Sequence, residues 1–170
     1  GYVGPKTNAA SIVLEGLKRL EYRGYDSWGV GVVARDYRKG GKILVKKRVG
    51  KIGDANVDDM PLSSFAFGHT RWATHGGVTG VNAHPHVCCT GQIAVIHNGI
   101  IENYLEIKKK LMGRGHRFVS QTDTEVAVHL VEEYIKTMMF SKAVQKAFNE
   151  MSGLNAFIFM GAPEQKFVAI

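Results

Sequence analysis

Apolar positions recur along the 170-residue chain at two spacings. After Asn8, a residue type that caps helices, Ile12, Val13, Leu17 and Leu20 fall near one helical face, which predicts a helix to about Leu20. Tyr22-Arg23-Gly24 breaks that pattern. Residues 29–34 read as a short buried strand. Residues 43–49 form a second strand behind a Gly40-Gly41 hairpin turn, and residues 65–70 a third. A long Gly-rich loop follows over 72–85, then a strand over 92–97 that ends at Asn98-Gly99. A charged helix over about 102–112 stops at Gly113 and Gly115. Thr122 with Glu125 three positions later has capping-box spacing and opens a helix to about Met139, with Val126, Leu130, Val131 and Tyr134 on its buried side. Ser141 is placed to cap a further helix through Met151, Gly153 to stop it, and 156–160 and 167–170 read as strands.

That order is helix, strands, helices, strands. It is not the regular alternation of a doubly wound parallel sheet; two layers of largely antiparallel sheet with helices outside fit it better. No repeat, low-complexity tract or linker divides the chain, so one domain over 1–170 is expected. The last strand runs into the final residue without a turn, which suggests a chain cut from something longer. At 45% hydrophobic and 22% charged the composition is globular. No apolar run reaches the roughly 18–20 residues of a membrane span, and no signal-peptide pattern appears. The two cysteines, Cys88 and Cys89, are adjacent, which gives neither a disulfide framework nor metal-ligand spacing, so a reducing, cytoplasmic setting is expected.

The formal net charge is +7. Residues 35–51 hold eight basic residues and one acid, leaving 14 basic and 14 acidic residues elsewhere. A local basic segment with only Tyr37 to stack on reads as a solvated surface hairpin rather than a nucleic-acid groove.

Candidate chemistry concentrates in Gly68-His69-Thr70-Arg71-Trp72-Ala73-Thr74-His75-Gly76-Gly77. This loop, rich in glycine and hydrogen-bonding groups, comes off a strand end, where binding sites tend to sit. Arg71 offers a planar fork for a carboxylate or phosphate; it could equally pair with a structural acid, with Trp72 in the core. Five of the seven histidines fall between His69 and His97, but His84-Pro85-His86 has no third ligand in register, so a hydrogen-bonded structural role is expected. In His97-Asn98-Gly99 a side-chain amide beside a glycine N–H can form an oxyanion hole, or simply an Asn-Gly turn. Asp123, at a helix start, could serve the helix dipole or bind a cationic amine.

The conjunction of motifs says more. Leu20-Glu21-Tyr22-Arg23-Gly24-Tyr25-Asp26-Ser27, the Arg-Trp-Ala-Thr-His-Gly loop, Val81-Asn82-Ala83-His84-Pro85-His86, His97-Asn98-Gly99-Ile100-Ile101-Glu102-Asn103-Tyr104 and Gln121-Thr122-Asp123-Thr124-Glu125-Val126 occur in this order. Together they closely resemble the glutaminase domains of the isomerising glucosamine–fructose-6-phosphate aminotransferases, class II amidotransferases. The resemblance implies an α+β fold of the N-terminal-nucleophile type, a four-layer α/β/β/α sandwich of largely antiparallel sheets. It implies hydrolysis of L-glutamine to glutamate and ammonia, without cofactor or metal. The ammonia would go to a C-terminal isomerase domain that turns fructose 6-phosphate into glucosamine 6-phosphate, in a protein that is a homodimer when full length and binds neither nucleic acid nor membrane.

By resemblance Asn98 and Gly99 stabilise the oxyanion and Arg23 orients them. Arg71 pairs with the substrate carboxylate, Asp123 holds its ammonium, Thr74 and His75 line the pocket, and Trp72 stands at the ammonia path. The family nucleophile is an N-terminal cysteine whose α-amine is the base. This chain begins Gly1-Tyr2-Val3-Gly4, so it either omits a short N-terminal stretch or is a catalytically silent, glutamine-binding module. Another class II amidotransferase domain is the remaining alternative. Trp28 departs from the small residue usual after Asp-Ser, and a bulky ring there requires the nearby sheet to repack.

Overall fold

The computed structural model describes residues 1–34, 41–73 and 76–170. Eight strands form two four-stranded antiparallel sheets. The first, in the order β1-β4-β2-β3, contains β1 (Tyr2–Val3), β2 (Ser27–Ala34), β3 (Lys42–Val49) and β4 (Phe65–Arg71). The second, in the order β5-β6-β7-β8, contains β5 (His86–Val87), β6 (Ile93–Gly99), β7 (Asn155–Gly161) and β8 (Lys166–Ala169). Helix α1 (Ala9–Leu20) covers the first sheet; α2 (Tyr104–Met112), α3 (Glu125–Tyr134) and α4 (Phe140–Glu150) belong to the apolar cluster on the second.

Three apolar layers hold these four together, and strand alternation decides which side chain enters which layer. On β2, Trp28, Val30 and Val32 point to α1 and pack with Val13, Leu14 and Leu17. Val33 points the other way, between the sheets, with Phe65, Phe67, Ala94, Ile96 and Met160. On β6, Ile93 and Val95 face the helical side with Val126, Leu130 and Val131. The stacking is therefore the expected α/β/β/α sandwich. Trp28 is 1% exposed and belongs to the α1 layer, so the bulky ring repacks under the helix. On the opposite face Gly29 lets the chain pass close: a Cβ there would lie 2.2 Å from the His84 carbonyl oxygen.

Several sequence expectations change. In α1 the buried stripe is Ala9, Ala10, Val13, Leu14 and Leu17, while Leu20 is exposed and Ile12 half-buried. Asn8 stands at the cap position but its side chain makes no capping bond; the Ala9 N–H is satisfied by the Ser63 carbonyl instead. The Thr122–Glu125 capping box does not form. The Glu125 carboxylate turns back to the N–H groups of Val119 and Ser120, and Thr122 Oγ1 meets His86 Nε2. Helix α3 ends at Tyr134, short of Met139, and α4 begins at Phe140, whose N–H is taken by Glu164, so Ser141 lies inside the first turn. The basic hairpin is described only from Gly41 onward; its residues 35–40 lie outside the described residues.

Candidate active site

The apolar layer between the sheets becomes polar at one end, and the alternation that built the layer places the polar groups. Along β4 the same face carries Phe65, Phe67, His69 and then Arg71; along β6 it carries Ala94, Ile96 and then Asn98. At that end lies a cavity of about 360 Å³. Arg23, Arg71, Trp72, Asn98, Gly99 and Asp123 all line it. The sequence singled out all six. The other two candidates, Thr74 and His75, lie outside the described residues.

Asn98 is held by His69, whose Nε2 is 3.0 Å from the amide oxygen. That oxygen can only accept, so Nε2 carries the proton and the amide NH₂ is left for the cavity. Burial pushes His69 below its ordinary pKa, so the ring is neutral. Arg23, expected to orient this pair, is exposed and lines the same cavity. Nothing in the sequence marked His69 for the role, because its partner is 29 residues away on the other sheet.

The Gly99 N–H is available for a geometric reason. The bonds Ala162 N–H to Gln92 O and Ile100 N–H to Leu154 O set the phase of the β6–β7 ladder, so even-numbered residues of β6 bond to β7. Gly99 is odd, and its N–H points to the other edge, where the β5 pairing has already ended at the His86–Val95 pair. Glycine is required there: φ is +130°, and a Cβ would lie 2.2 Å from the Leu154 carbonyl oxygen.

Arg71 and Asp123 are each 4% exposed. Burial lowers the Arg71 pKa, while the Asp26 and Asp123 carboxylates oppose that shift. Asp123 Oδ2 accepts the Ile101 N–H at 2.8 Å, which fixes the carboxylate just after the β6 end. Asp26 Oδ2 accepts the Ala73 N–H at 2.9 Å and pins the loop after Arg71. Asn82 is a third support. Its Nδ2 donates to Gly77 O at 2.9 Å and to Gln121 Oε1 at 3.1 Å, and its Oδ1 accepts the Gln121 N–H at 2.9 Å. Gly77 O also accepts from Arg71 Nη1 at 3.4 Å. Asp26, Asn82 and Gln121 were within the motifs but no pattern assigned them a role.

Trp72 is 59% exposed and tilts against Tyr25 with ring centroids 5.5 Å apart, so it belongs to the rim and not to the core. His84 lies between His69 and His86, tilted against the first and edge-on to the second, with ring centroids 4.7 and 4.9 Å apart. Burial pushes both His84 and His86 down, His86 to about 3, so this file of rings is uncharged. His86 has the expected hydrogen-bonded role through Thr122.

Comparison with known proteins agrees with this arrangement. The chain is 46% identical to the isomerising glutamine–fructose-6-phosphate aminotransferase of Pyrococcus horikoshii over 99% of its length, covering 28% of that protein. It is 46% identical to the Thermus thermophilus enzyme of the same name, over 99% of this chain and 27% of that one. The chain thus spans little more than a quarter of these curated relatives. The solved structure of glutamine phosphoribosylpyrophosphate amidotransferase from B. subtilis superposes with a TM-score of 0.74 at 25% identity, covering 94% of this chain and 34% of that one. No helix among the described residues is long and apolar enough to cross a membrane. Residues 69–170, which carry most of the cavity described above, match the family described as the glutamine amidotransferase domain, and the chain belongs to that family.

Proposed function

We propose that this chain is the glutaminase part of an isomerising glutamine–fructose-6-phosphate aminotransferase. It hydrolyses L-glutamine and delivers ammonia to a C-terminal isomerase domain that forms glucosamine 6-phosphate. The observation that carries the reading is one buried cation, Arg71, and one buried carboxylate, Asp123, on the same cavity as the Asn98 amide and the Gly99 N–H. An α-amino acid head needs one partner of each sign, and attack on its side-chain amide needs donors where negative charge develops. The full-length protein acts as a homodimer in a reducing cytoplasm, a setting in keeping with free Cys88 and Cys89.

In this mechanism Arg71 takes the α-carboxylate and Asp123 the α-ammonium. The amide carbonyl then lies at Asn98 and Gly99. A thiol adds to that carbon, the tetrahedral intermediate expels ammonia, and water releases glutamate from the thioester. The thiol must be activated by its own α-amine, which neither Cys88 nor Cys89 possesses. The β1–β4 register pairs Tyr2 with Ala66, so a cysteine preceding Gly1 falls in line with Gly68. Gly68, Leu17, His69 and Asn98 line a second cavity of about 340 Å³, which shares Arg23, His69, Thr70 and Asn98 with the first. That is the space such a residue would occupy. Thr74 and His75 complete the amino-acid pocket in this reading, Arg23 steadies the oxyanion donors, and Trp72 stands at the exit for ammonia.

The test is ammonia and glutamate release from L-glutamine by the chain as given and by the chain preceded by one cysteine with a free α-amine. Turnover only in the second is expected. Equal turnover in both would remove the mechanism, and binding of glutamine without turnover in either would assign a glutamine-binding module.

A further inference from the structure

We propose that Cys89, His116, His129 and Glu132 form a tetrahedral zinc site, separate from the glutamine cavity. The sequence hides it: Cys89 follows β5, His116 follows α2, and His129 and Glu132 are three residues apart on α3. The fold brings one donor atom from each within 4.8 Å of all the others. Cys89 Sγ is 3.6 Å from His129 Nδ1, His129 Nδ1 is 3.3 Å from Glu132 Oε2, and Glu132 Oε2 is 3.1 Å from His116 Nδ1. A tetrahedral zinc ion with bonds of about 2.0 Å to nitrogen or oxygen and 2.3 Å to its single sulfur has ligand–ligand edges of about 3.3–3.5 Å. Three of the six donor pairs already stand at nearly those separations, and the other three lie within 4.8 Å.

An orphaned atom points the same way. The His116 side chain is 4% exposed, and its Nδ1 has no hydrogen-bond partner although Glu132 Oε2 is 3.1 Å away. Its other nitrogen, Nε2, lies 3.1 Å from the Glu133 carboxylate, which can only accept, so the ring proton belongs there. Nδ1 then presents a lone pair toward a carboxylate oxygen at close range. Glu132 Oε2 thus faces His116 Nδ1, His129 Nδ1 and the Cys89 N–H together, and a cation bound by the oxygen and both rings would give the orphaned Nδ1 its partner.

The groups behind the donors suit a metal as well. A ligating histidine almost always gives its second N–H to a carboxylate or carbonyl. Glu133 stands behind His116, and Glu125 Oε1 stands 3.6 Å from His129 Nε2, itself without a hydrogen-bond partner. Cys89 Sγ accepts the Arg117 N–H at 3.4 Å, and Glu132 Oε1 accepts the Thr90 N–H at 2.7 Å. One thiolate, two imidazoles and one carboxylate select zinc or cobalt over magnesium or calcium. Cys89 is exposed and gives the ion a way in; binding expels the thiol proton to solvent. Four protein ligands leave no open position, so the site fastens the β5–β6 turn to α3 and performs no chemistry.

The experiment titrates the chelator-treated chain with zinc sulfate, followed by elemental analysis after dialysis, and repeats the titration with cobalt(II) under absorption spectroscopy. One equivalent of zinc, a rise in melting temperature on its addition, and a thiolate-to-cobalt charge-transfer band are expected. Cys89→Ala, at an exposed position that does not threaten folding, loses the band and weakens zinc binding by more than ~100-fold, beyond what loss of an outer partner costs. Glu133→Gln weakens it by ~10-fold. Cys88→Ser, which alters the neighbouring thiol, leaves both unchanged. Substoichiometric zinc, or affinity that Cys89→Ala leaves intact, overturns the proposal. None of these readouts depends on glutamine turnover.

Discussion

Replacing His69 by leucine removes the hydrogen bond that orients the Asn98 amide and changes no charge, because burial keeps the imidazole neutral. A neutral hydrogen bond contributes about 0.5–1.5 kcal/mol net, and about 1.4 kcal/mol is tenfold in rate, so kcat should fall by about 2- to 12-fold with KM nearly unchanged. Deleting the donor itself, in Asn98→Ala, should cost about 10²–10³ in kcat. His69 acts only through Asn98. In the Asn98→Ala background His69→Leu should therefore cost nothing further, a departure from additivity that a double-mutant cycle reads directly. Because burial lowers the His69 pKa, the loss should not change as pH rises above neutrality. The assay is steady-state glutaminase kinetics on the chain preceded by cysteine. Multiplicative losses in the double variant, or a change confined to KM, would show that His69 touches the substrate itself and would refute the reasoning.

Arg71→Lys and Asp123→Asn should each raise KM for glutamine by about one to two orders of magnitude in the same assay, since a charge-assisted hydrogen bond contributes about 1.5–3 kcal/mol and the head group keeps its charge throughout. A loss confined to kcat would reassign them. Trp28→Ala should destabilise the fold by about 3–5 kcal/mol in denaturant unfolding, because the ring is 1% exposed in the α1 layer; a cost under ~1 kcal/mol would contradict that placement. Lys47, which donates to the Ala83 carbonyl at 2.6 Å, is pushed by burial from 10.5 down to about 8. Between those values the unfolded chain binds more protons, so the stability of the native protein relative to Lys47→Gln should rise from pH 8 to 10, as measured by melting temperature. A difference constant across that range would show that Lys47 titrates normally.

The strands were legible because their period is short and local. The Phe65, Phe67, His69, Arg71 alternation already contained both the inter-sheet layer and the edge of the cavity. The site residues were legible where the motif stood at a strand end, as with Asn98-Gly99. Helix starts were not. Asn8, Thr122 and Ser141 are good local caps, but Ser63, His86 and Glu164 supply or claim the relevant bonds from 24 to 54 residues away. β5 has two residues and is defined only by its pairing with β6. The His69–Asn98 bond and the Cys89–His116–His129–Glu132 cluster join residues from different elements, and no periodicity records such a meeting.

The hydrogen bonds around Asn82 have a stereochemical consequence. The Gly77 carbonyl is shared by Arg71 and Asn82, and Asn82 is tied to Gln121, two residues before Asp123. The cation and the anion thus belong to one frame, and Asn98 is joined to it through His69, two residues before Arg71 on β4. Three such fixed points out of line make a handed surface. The mirror image of a ligand that satisfies all three can satisfy any two, but must then turn its third group away. If the α-amino acid reading holds, the rigidity that Asn82 gives this frame is what would let it tell one enantiomer from the other.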